Sequence, residues 1–159
     1  MADAALPDCD ALWLPGGYPE LHLDALSPRK DLHAELHGHR DAGKPLLAEC
    51  GGLLFALDAL ADREGGAHRM AGLLPGHARI QPRLAGLGLQ EVALPEGTLR
   101  GHTFHYAQAD IAAPVLAMAS NPNSGPSREA VYRDQRMTAS FVHLYFPSNP
   151  AAAVRLLQP

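Results

Sequence analysis

The sequence predicts an α/β fold built on a parallel sheet, and three observations carry that reading. Residues 11–14 (Ala-Leu-Trp-Leu) form a short apolar run closed by Pro15-Gly16-Gly17. A second run, Pro45-Leu46-Leu47-Ala48, closes on Cys50-Gly51-Gly52. Helix signals lie between the two runs and again after the second. Strand, helix, strand, helix in this order is how parallel sheets are built, because parallel neighbours need a crossover, usually helical.

The first run is too short for a helix and ends in turn residues, so it reads as a buried strand entering a tight loop. Ser27-Pro28 offers an N-cap followed by a proline pre-set for the first helical position. Leu32 and Leu36 recur at helical spacing, and Gly43 supplies the C-terminal cap. The second run reads as a second buried strand. The residues after Cys50 read as an apolar helix containing Leu53, Leu54, Leu57 and Leu60. From Gly72 to Tyr106 the pattern changes to short strand-like pieces, Ala78–Gln81, Leu89–Leu94 and Leu99–Phe104, separated by Gly and Pro. Residues 120–130 read as a surface loop by composition. Thr138–Val142 is β-branched and aromatic enough for a last strand, and Asn149-Pro150 opens a short final helix. With no internal repeat and no linker, residues 1–159 read as one domain.

Composition narrows the function classes. A 159-residue chain that is 47% hydrophobic but only 6% aromatic can bury one sizeable, mainly aliphatic core. The net charge of −4 and the scattered basic residues argue against a nucleic-acid surface. No apolar run approaches the roughly 18 residues of a membrane span. The first residues lack the basic and apolar regions of a signal peptide, and two cysteines make no disulfide framework. The expectation is a cytoplasmic protein with reduced thiols.

Cys50 is the residue that points to chemistry. A side chain at a strand-to-helix turn is lifted out of the sheet toward the cleft beyond the strand ends. The glycines after it keep the turn uncrowded, and a helix N-terminus favours a thiolate. Glu49, one residue earlier on the strand, is expected to point the other way. A buried structural cysteine is the alternative reading and stays open on position alone. Gly16-Gly17 ends the preceding strand, so a backbone N–H there can join that of Gly51 in holding an oxyanion. His143, leaving the last predicted strand, can meet Cys50 as a base. His33 and His37 lie four apart on a predicted helix but lack a third ligand, so no metal is expected. His102 and His105 are three apart on a predicted strand and should face opposite sides. Cys9 lies between Asp8 and Asp10, whose charges oppose a thiolate.

Four segments resemble, in the same order, those of cobyrinic acid a,c-diamide synthases. They are Leu14-Pro15-Gly16-Gly17-Tyr18-Pro19-Glu20, Ala48-Glu49-Cys50-Gly51-Gly52-Leu53, Gly101-His102-Thr103-Phe104-His105-Tyr106 and Ser140-Phe141-Val142-His143-Leu144-Tyr145-Phe146. The similarity runs on through Met70–Gly76 and Ser148-Asn149-Pro150. It implies a class I-like glutamine amidotransferase domain, a flavodoxin-like three-layer sandwich with a mainly parallel sheet. Cys50 then matches the nucleophile and His143 the catalytic histidine. Gly16, Gly17 and Gly51 match the oxyanion and substrate-binding backbone, with Glu49, His102 and His105 as supporting residues behind them. Tyr145 stands where the wider superfamily has a glutamate, which fits a cysteine–histidine dyad and leaves open what orients His143. Thr103 stands where the family usually has glutamate.

The resemblance also implies partners. Glutamine is the substrate, and an ATP-dependent synthetase domain carrying a corrinoid takes the ammonia. ATP and magnesium belong to that domain, and this chain carries no phosphate-binding Gly-x-x-x-x-Gly-Lys-Ser/Thr loop. Relatives have a strand and a helix ahead of Leu6-Pro7-Asp8, so the chain reads as incomplete at its N-terminus, with its first strand absent. An uncovered sheet edge predicts self-association. An inactive remnant, a flavodoxin-like cysteine hydrolase of another substrate and a histidine-based metal or scaffolding module are the competing expectations.

Overall fold

The computed structural model describes residues 5–123 and 125–159. Its elements run β1 (Leu12–Leu14), α1 (Leu23–Leu26), α2 (Lys30–Asp41), β2 (Leu46–Glu49), α3 (Gly51–Ala56), β3 (Leu57–Ala61), β4 (Ala67–Arg69) and β5 (Leu74–Ile80). They continue with β6 (Gly86–Leu94), β7 (Gly97–His105), β8 (Ala107–Ile111), β9 (Val115–Asn121), β10 (Gly125–Asp134), β11 (Met137–Ser140), β12 (His143–Tyr145) and α4 (Pro150–Leu157). Eight strands form one sheet in the order β1-β2-β11-β10-β9-β6-β7-β12, and four form a second, β4-β3-β5-β8.

The architecture is α/β, as the sequence predicts. β2 is buried along its whole length because it lies in the middle layer. Leu46 and Ala48 enter one core with Leu36, Leu53 and Phe55, while Leu47 enters the other with Val92, Leu99 and Leu156. Such strands read as continuous apolar runs rather than alternating ones. The parallel pairing expected of the sheet is concentrated where strands neighbour helices: β1–β2, β2–β11 and β3–β5. The other pairings, from β11–β10 round to β7–β12, are antiparallel. The cause is local. Gly- and Pro-punctuated strands joined by two-residue connections, such as Gln135-Arg136 with Gln135 at φ 52°, close as hairpins, and hairpins are antiparallel.

Several element boundaries differ from the sequence reading. Ser27 caps the C-terminal end of α1, and Arg29 is the N-cap of α2, with its guanidinium bonded to Asp31. Gly43 lies past the end of α2 at φ 71°, as expected of a capping glycine. The apolar helix after Cys50 stops at Ala56, and Leu57 and Leu60 belong to β3. There Leu57, Ala59 and Leu60 take up a parallel register with β5, a stronger claim than about one further turn of helix. Residues 120–130 are not one loop. β9 reaches Asn121 and β10 starts at Gly125, a hairpin that turn-like composition conceals, with residue 124 outside the described set. The last strand divides into β11, beside β2, and β12, beside β7.

That division matters for the site. The sheet curls until its two ends approach: Trp13 of β1 packs on Phe146, just past β12, with ring centroids 5.2 Å apart. The core that includes Leu47, Val92, Leu99 and Val142 fills the curl, and Ala152 and Leu156 of α4 join it. Asn149 fixes the start of α4: its side chain accepts from the Ala152 N–H at 3.1 Å and donates to the Thr98 carbonyl of β7 at 3.1 Å. Asn149→Ala should therefore lower unfolding free energy by about 1–2 kcal/mol, read from the urea midpoint with an unchanged denaturant slope. A midpoint equal to the parent's would contradict this role.

Candidate active site

Cys50 sits between β2 and α3 at φ 49°, ψ −104°. Non-glycine residues take such a conformation only where surrounding structure imposes it. Here Cys50 N–H donates to the Ser140 carbonyl of β11 at 2.8 Å, and its carbonyl accepts from Leu54 N–H at 3.0 Å. Those two bonds hold the turn from both sides. The thiol donates to the Phe104 carbonyl at 3.9 Å, which brings β7 over Cys50.

The Gly16-Gly17 loop lies directly on this turn. A Cβ on Gly51 would stand 2.6 Å from Gly17 N, and one on Gly52 2.7 Å from the Leu14 carbonyl carbon. Glycine is required at both positions by backbone contact rather than by turn conformation. Gly16 faces the imidazole of His143, and a Cβ there would overlap the ring. On its other flank the His102 ring stacks on His143, centroids 4.9 Å apart and 11° between planes. The β7–β12 register makes this inevitable, since His143 pairs directly with His102.

Cys50, His143, Gly16, Gly17, Glu49 and His102 thus border one cleft of about 900 Å³. Leu87, Leu89 and Phe104 form its apolar rim, exposed by 67%, 53% and 44%. The cysteine and histidine singled out in the sequence are brought together, and so are the two glycine segments.

The supporting residues divide. Glu49 is only 2% exposed and borders the cleft. One carboxylate oxygen accepts from Trp13 Nε1 at 3.0 Å and the other from the Leu144 N–H at 2.9 Å. His105 faces the opposite side of β7, as the spacing predicts. There it stacks on Phe141 at 3.9 Å and reaches Glu129 at 3.1 Å and the Ala107 carbonyl at 2.9 Å. Thr103 is buried, and its hydroxyl has no partner among the described residues. Tyr145, at the position of the superfamily glutamate, is 61% exposed. Sequence reasoning missed Trp13 as a hydrogen-bond donor and the Phe104 carbonyl as the thiol's acceptor. The first had a signal in a tryptophan at a strand edge; the second, being backbone, had none.

Electrostatics departs from expectation at the thiol. The Gly51 N–H does favour the thiolate, but burial outweighs it, helped by the Glu20, Glu129 and Glu49 carboxylates, and pushes Cys50 up to about 11. Burial, and then the His102 and His105 rings, hold His143 below the ordinary imidazole range. Burial also raises Glu49 to about 6, against the two N–H groups that favour its charged form. The resting pair is a neutral thiol beside a neutral imidazole.

Among the described residues no group of three or more His, Cys, Asp or Glu is placed to hold a metal ion. His33 packs its ring on Phe55, and His37 Nε2 donates to the Ala71 carbonyl at 2.8 Å. His33 Nε2 is buried with no hydrogen-bond partner among the described residues.

Comparison with known proteins gives a consistent picture. Residues 1–151 match the model of the CobB/CobQ-like glutamine amidotransferase domain. The chain is 54% identical over 159 residues to a hydrogenobyrinate a,c-diamide synthase of Pseudomonas aeruginosa, covering 100% of this chain and 37% of that protein. It is 54% identical over 156 residues to the synthase of the same description from Stutzerimonas stutzeri, covering 98% and 36%. A cobyrinate a,c-diamide synthase of Herminiimonas arsenicoxydans is 40% identical over 158 residues, covering 99% and 36%. The chain therefore spans little more than a third of the length of these relatives. A solved structure described as a glutamine amidotransferase superposes with TM-score 0.63 over 94% of this chain and 78% of that one, at 16% identity, a likeness of fold.

The raised thiol predicts how Cys50 reacts. Because thiolate is the nucleophile, iodoacetamide alkylation of Cys50 should climb with pH toward a midpoint near 11. A midpoint below 8, followed by mass spectrometry of the Cys50 peptide, would show a preformed thiolate instead.

Proposed function

The chain belongs to the CobB/CobQ-like glutamine amidotransferase domain family, and on that premise we propose that it hydrolyses glutamine in the Cys50–His143 cleft. The ammonia passes to an ATP-dependent synthetase domain that amidates the a and c carboxylates of a cobyrinic-acid-type corrinoid. The observation that carries this reading is one cleft lined by the strained Cys50 turn and by His143, with the glycine loop packed against the turn that follows Cys50. ATP and magnesium belong to the synthetase in this proposal, and no residue of this chain is assigned to them.

Substrate binding starts the chemistry. His143 takes the Cys50 proton as sulfur attacks the side-chain amide carbon, so thiolate forms only as the new S–C bond does. The oxyanion is held by the Gly51 N–H and one from Gly16–Gly17, donors already fixed before reaction. His143 returns the proton to the amide nitrogen, the C–N bond breaks, and ammonia leaves a γ-glutamyl thioester. Water then gives its proton to His143 and attacks the thioester carbon. The C–S bond breaks, His143 returns the proton to the leaving sulfur, the thiol is restored and glutamate departs. A neutral resting pair suits this sequence, because a poised imidazole is free to accept a proton.

Two further parts of the reading concern partners and place. β1 is an edge strand among the described residues, and beside it runs an apolar cleft of about 710 Å³ bordered by Leu6, Leu12, Leu26, Leu36 and Phe55. Unpaired edges beside apolar surface recruit another chain, which supports self-association through β1. The site of action is the cytoplasm.

Glutamate and ammonia release from glutamine by the full chain tests the activity. Cys50→Ala should abolish turnover, and His143→Ala should lower kcat by about 10²-fold or more. Cysteine-independent turnover, or none from folded protein supplied with a separate synthetase domain, would end the glutaminase reading. For the edge, light scattering across a hundredfold dilution should show a mass that rises with concentration; a clean monomer throughout would remove self-association.

A further inference from the structure

We propose that Glu49 is the positioning carboxylate of this site, fixing His143 through the backbone of β12 rather than through the imidazole. The inference rests on the Cys50–His143 reading above and supplies what holds the histidine in place.

Three segments must keep a common geometry for that chemistry, and Glu49 touches all of them. Its own backbone is the residue before Cys50, at the end of β2. Its Oε2 accepts from Trp13 Nε1 on β1, three residues before Gly16. Its Oε1 accepts from the Leu144 N–H, the peptide group that follows His143, 95 residues away in sequence. The nucleophile, the oxyanion loop and the base are thereby joined at one side chain.

The partners are telling because the two ends of the sheet have no ladder between them. β1 and β12 are opposite edge strands. β12 follows β11, which pairs with β2, after only Phe141-Val142, and Glu49 adds a direct hydrogen bond from the Cys50 strand to the β12 backbone. A carboxylate that is 2% exposed is costly to bury unless its acceptor capacity is used. Here it is spent on the first backbone N–H beyond the base. His143 itself is flanked by Gly16 and the His102 ring, contacts that limit ring tilt. Neither sets how far the ring reaches along the strand. The Leu144 anchor does, and general-base catalysis is steep in that distance, a displacement of about 1 Å costing up to about 10²-fold.

A pure charge role predicts the wrong neighbours. The titratable groups sharing the cleft with Glu49 are Cys50, His102, His143 and Tyr18, and its negative charge opposes thiolate formation at Cys50. What Glu49 offers the reaction is reach.

The test compares Glu49→Ala, Glu49→Gln and Glu49→Asp in the full chain, with circular dichroism establishing that each is folded. Glutamine hydrolysis gives kcat and KM, and iodoacetamide alkylation at fixed pH gives Cys50 reactivity without glutamine. For Glu49→Ala, kcat should fall by about tenfold to a hundredfold while KM changes by less than about threefold. Cys50 alkylation should fall to the His143→Ala level. Glutamine keeps the reach and an acceptor for the Leu144 N–H, so Glu49→Gln should recover most of the loss. Aspartate keeps the charge but is one methylene short, so Glu49→Asp should not. Wild-type kcat in folded Glu49→Ala overturns the proposal, and so does Glu49→Asp outperforming Glu49→Gln, a comparison that stands even if the alanine variant does not fold. If the parent chain fails to hydrolyse glutamine, the glutaminase reading fails on its own, and the alkylation series still decides the role of Glu49.

Discussion

The backbone of the loop after β1 lies against the first turn of α3 at a separation that only residues without a Cβ permit. Gly51 meets Gly17 and Gly52 meets the Leu14 carbonyl carbon with no side chain between them. Everything in the cleft is measured from this contact. It sets how the Gly16-Gly17 loop lies on the turn after Cys50, and it brings Gly16 to the face of the His143 ring. An added methyl group at Gly51 or Gly52 would press on backbone rather than on a flexible side chain, so the strain would pass into the loop or the nucleophile turn.

The antiparallel part of the sheet delivers the histidine. The parallel strands β1, β2 and β11 build the Cys50 side, with α1 and α2 following β1 and α3 following β2. β6, β7 and β12 then bring a second wall across, because the sheet curls around Leu47, Val92, Leu99 and Val142 with α4 joining that core. The cleft is the seam where the two ends of one sheet meet. Such a seam has little intrinsic rigidity, which explains why it is laced by the Trp13–Phe146 contact, the approach of Gly16 to the His143 ring and a buried carboxylate.

The sequence was legible where the physics is local. A strand that ends in Cys-Gly-Gly, a Pro-Gly-Gly loop, an Asn-Pro helix start and a glycine past Asp41 each follow from the few residues around them, and each is found. His102 and His105 went to opposite faces because strand periodicity allows nothing else. Long-range preference decided the rest. Leu57 and Leu60 continue a helical pattern, yet pairing with β5 claims them. Residues 120–130 have the composition of a loop but close a hairpin between β9 and β10. What Glu49 meets was not legible, because one of its partners lies 95 residues on, at a backbone N–H that no local rule anticipates. The thiol's affinity for its proton was misjudged likewise: a helix start is visible in sequence, but the depth of burial around it is not.

Cys50 occupies a backbone conformation that any side chain resists, at a cost of about 1–3 kcal/mol, roughly a tenth or more of what holds a domain of this size together. With Cys50 as the nucleophile proposed above, position 50 is a place where durability and turnover select for different residues. A lineage still using the reaction must keep a strained cysteine, and improves its folding elsewhere in the chain. A lineage that stops using it gains by relaxing this one residue to glycine, before anything else in the fold has reason to change. The identity of residue 50 thus reports whether the cleft is still in service.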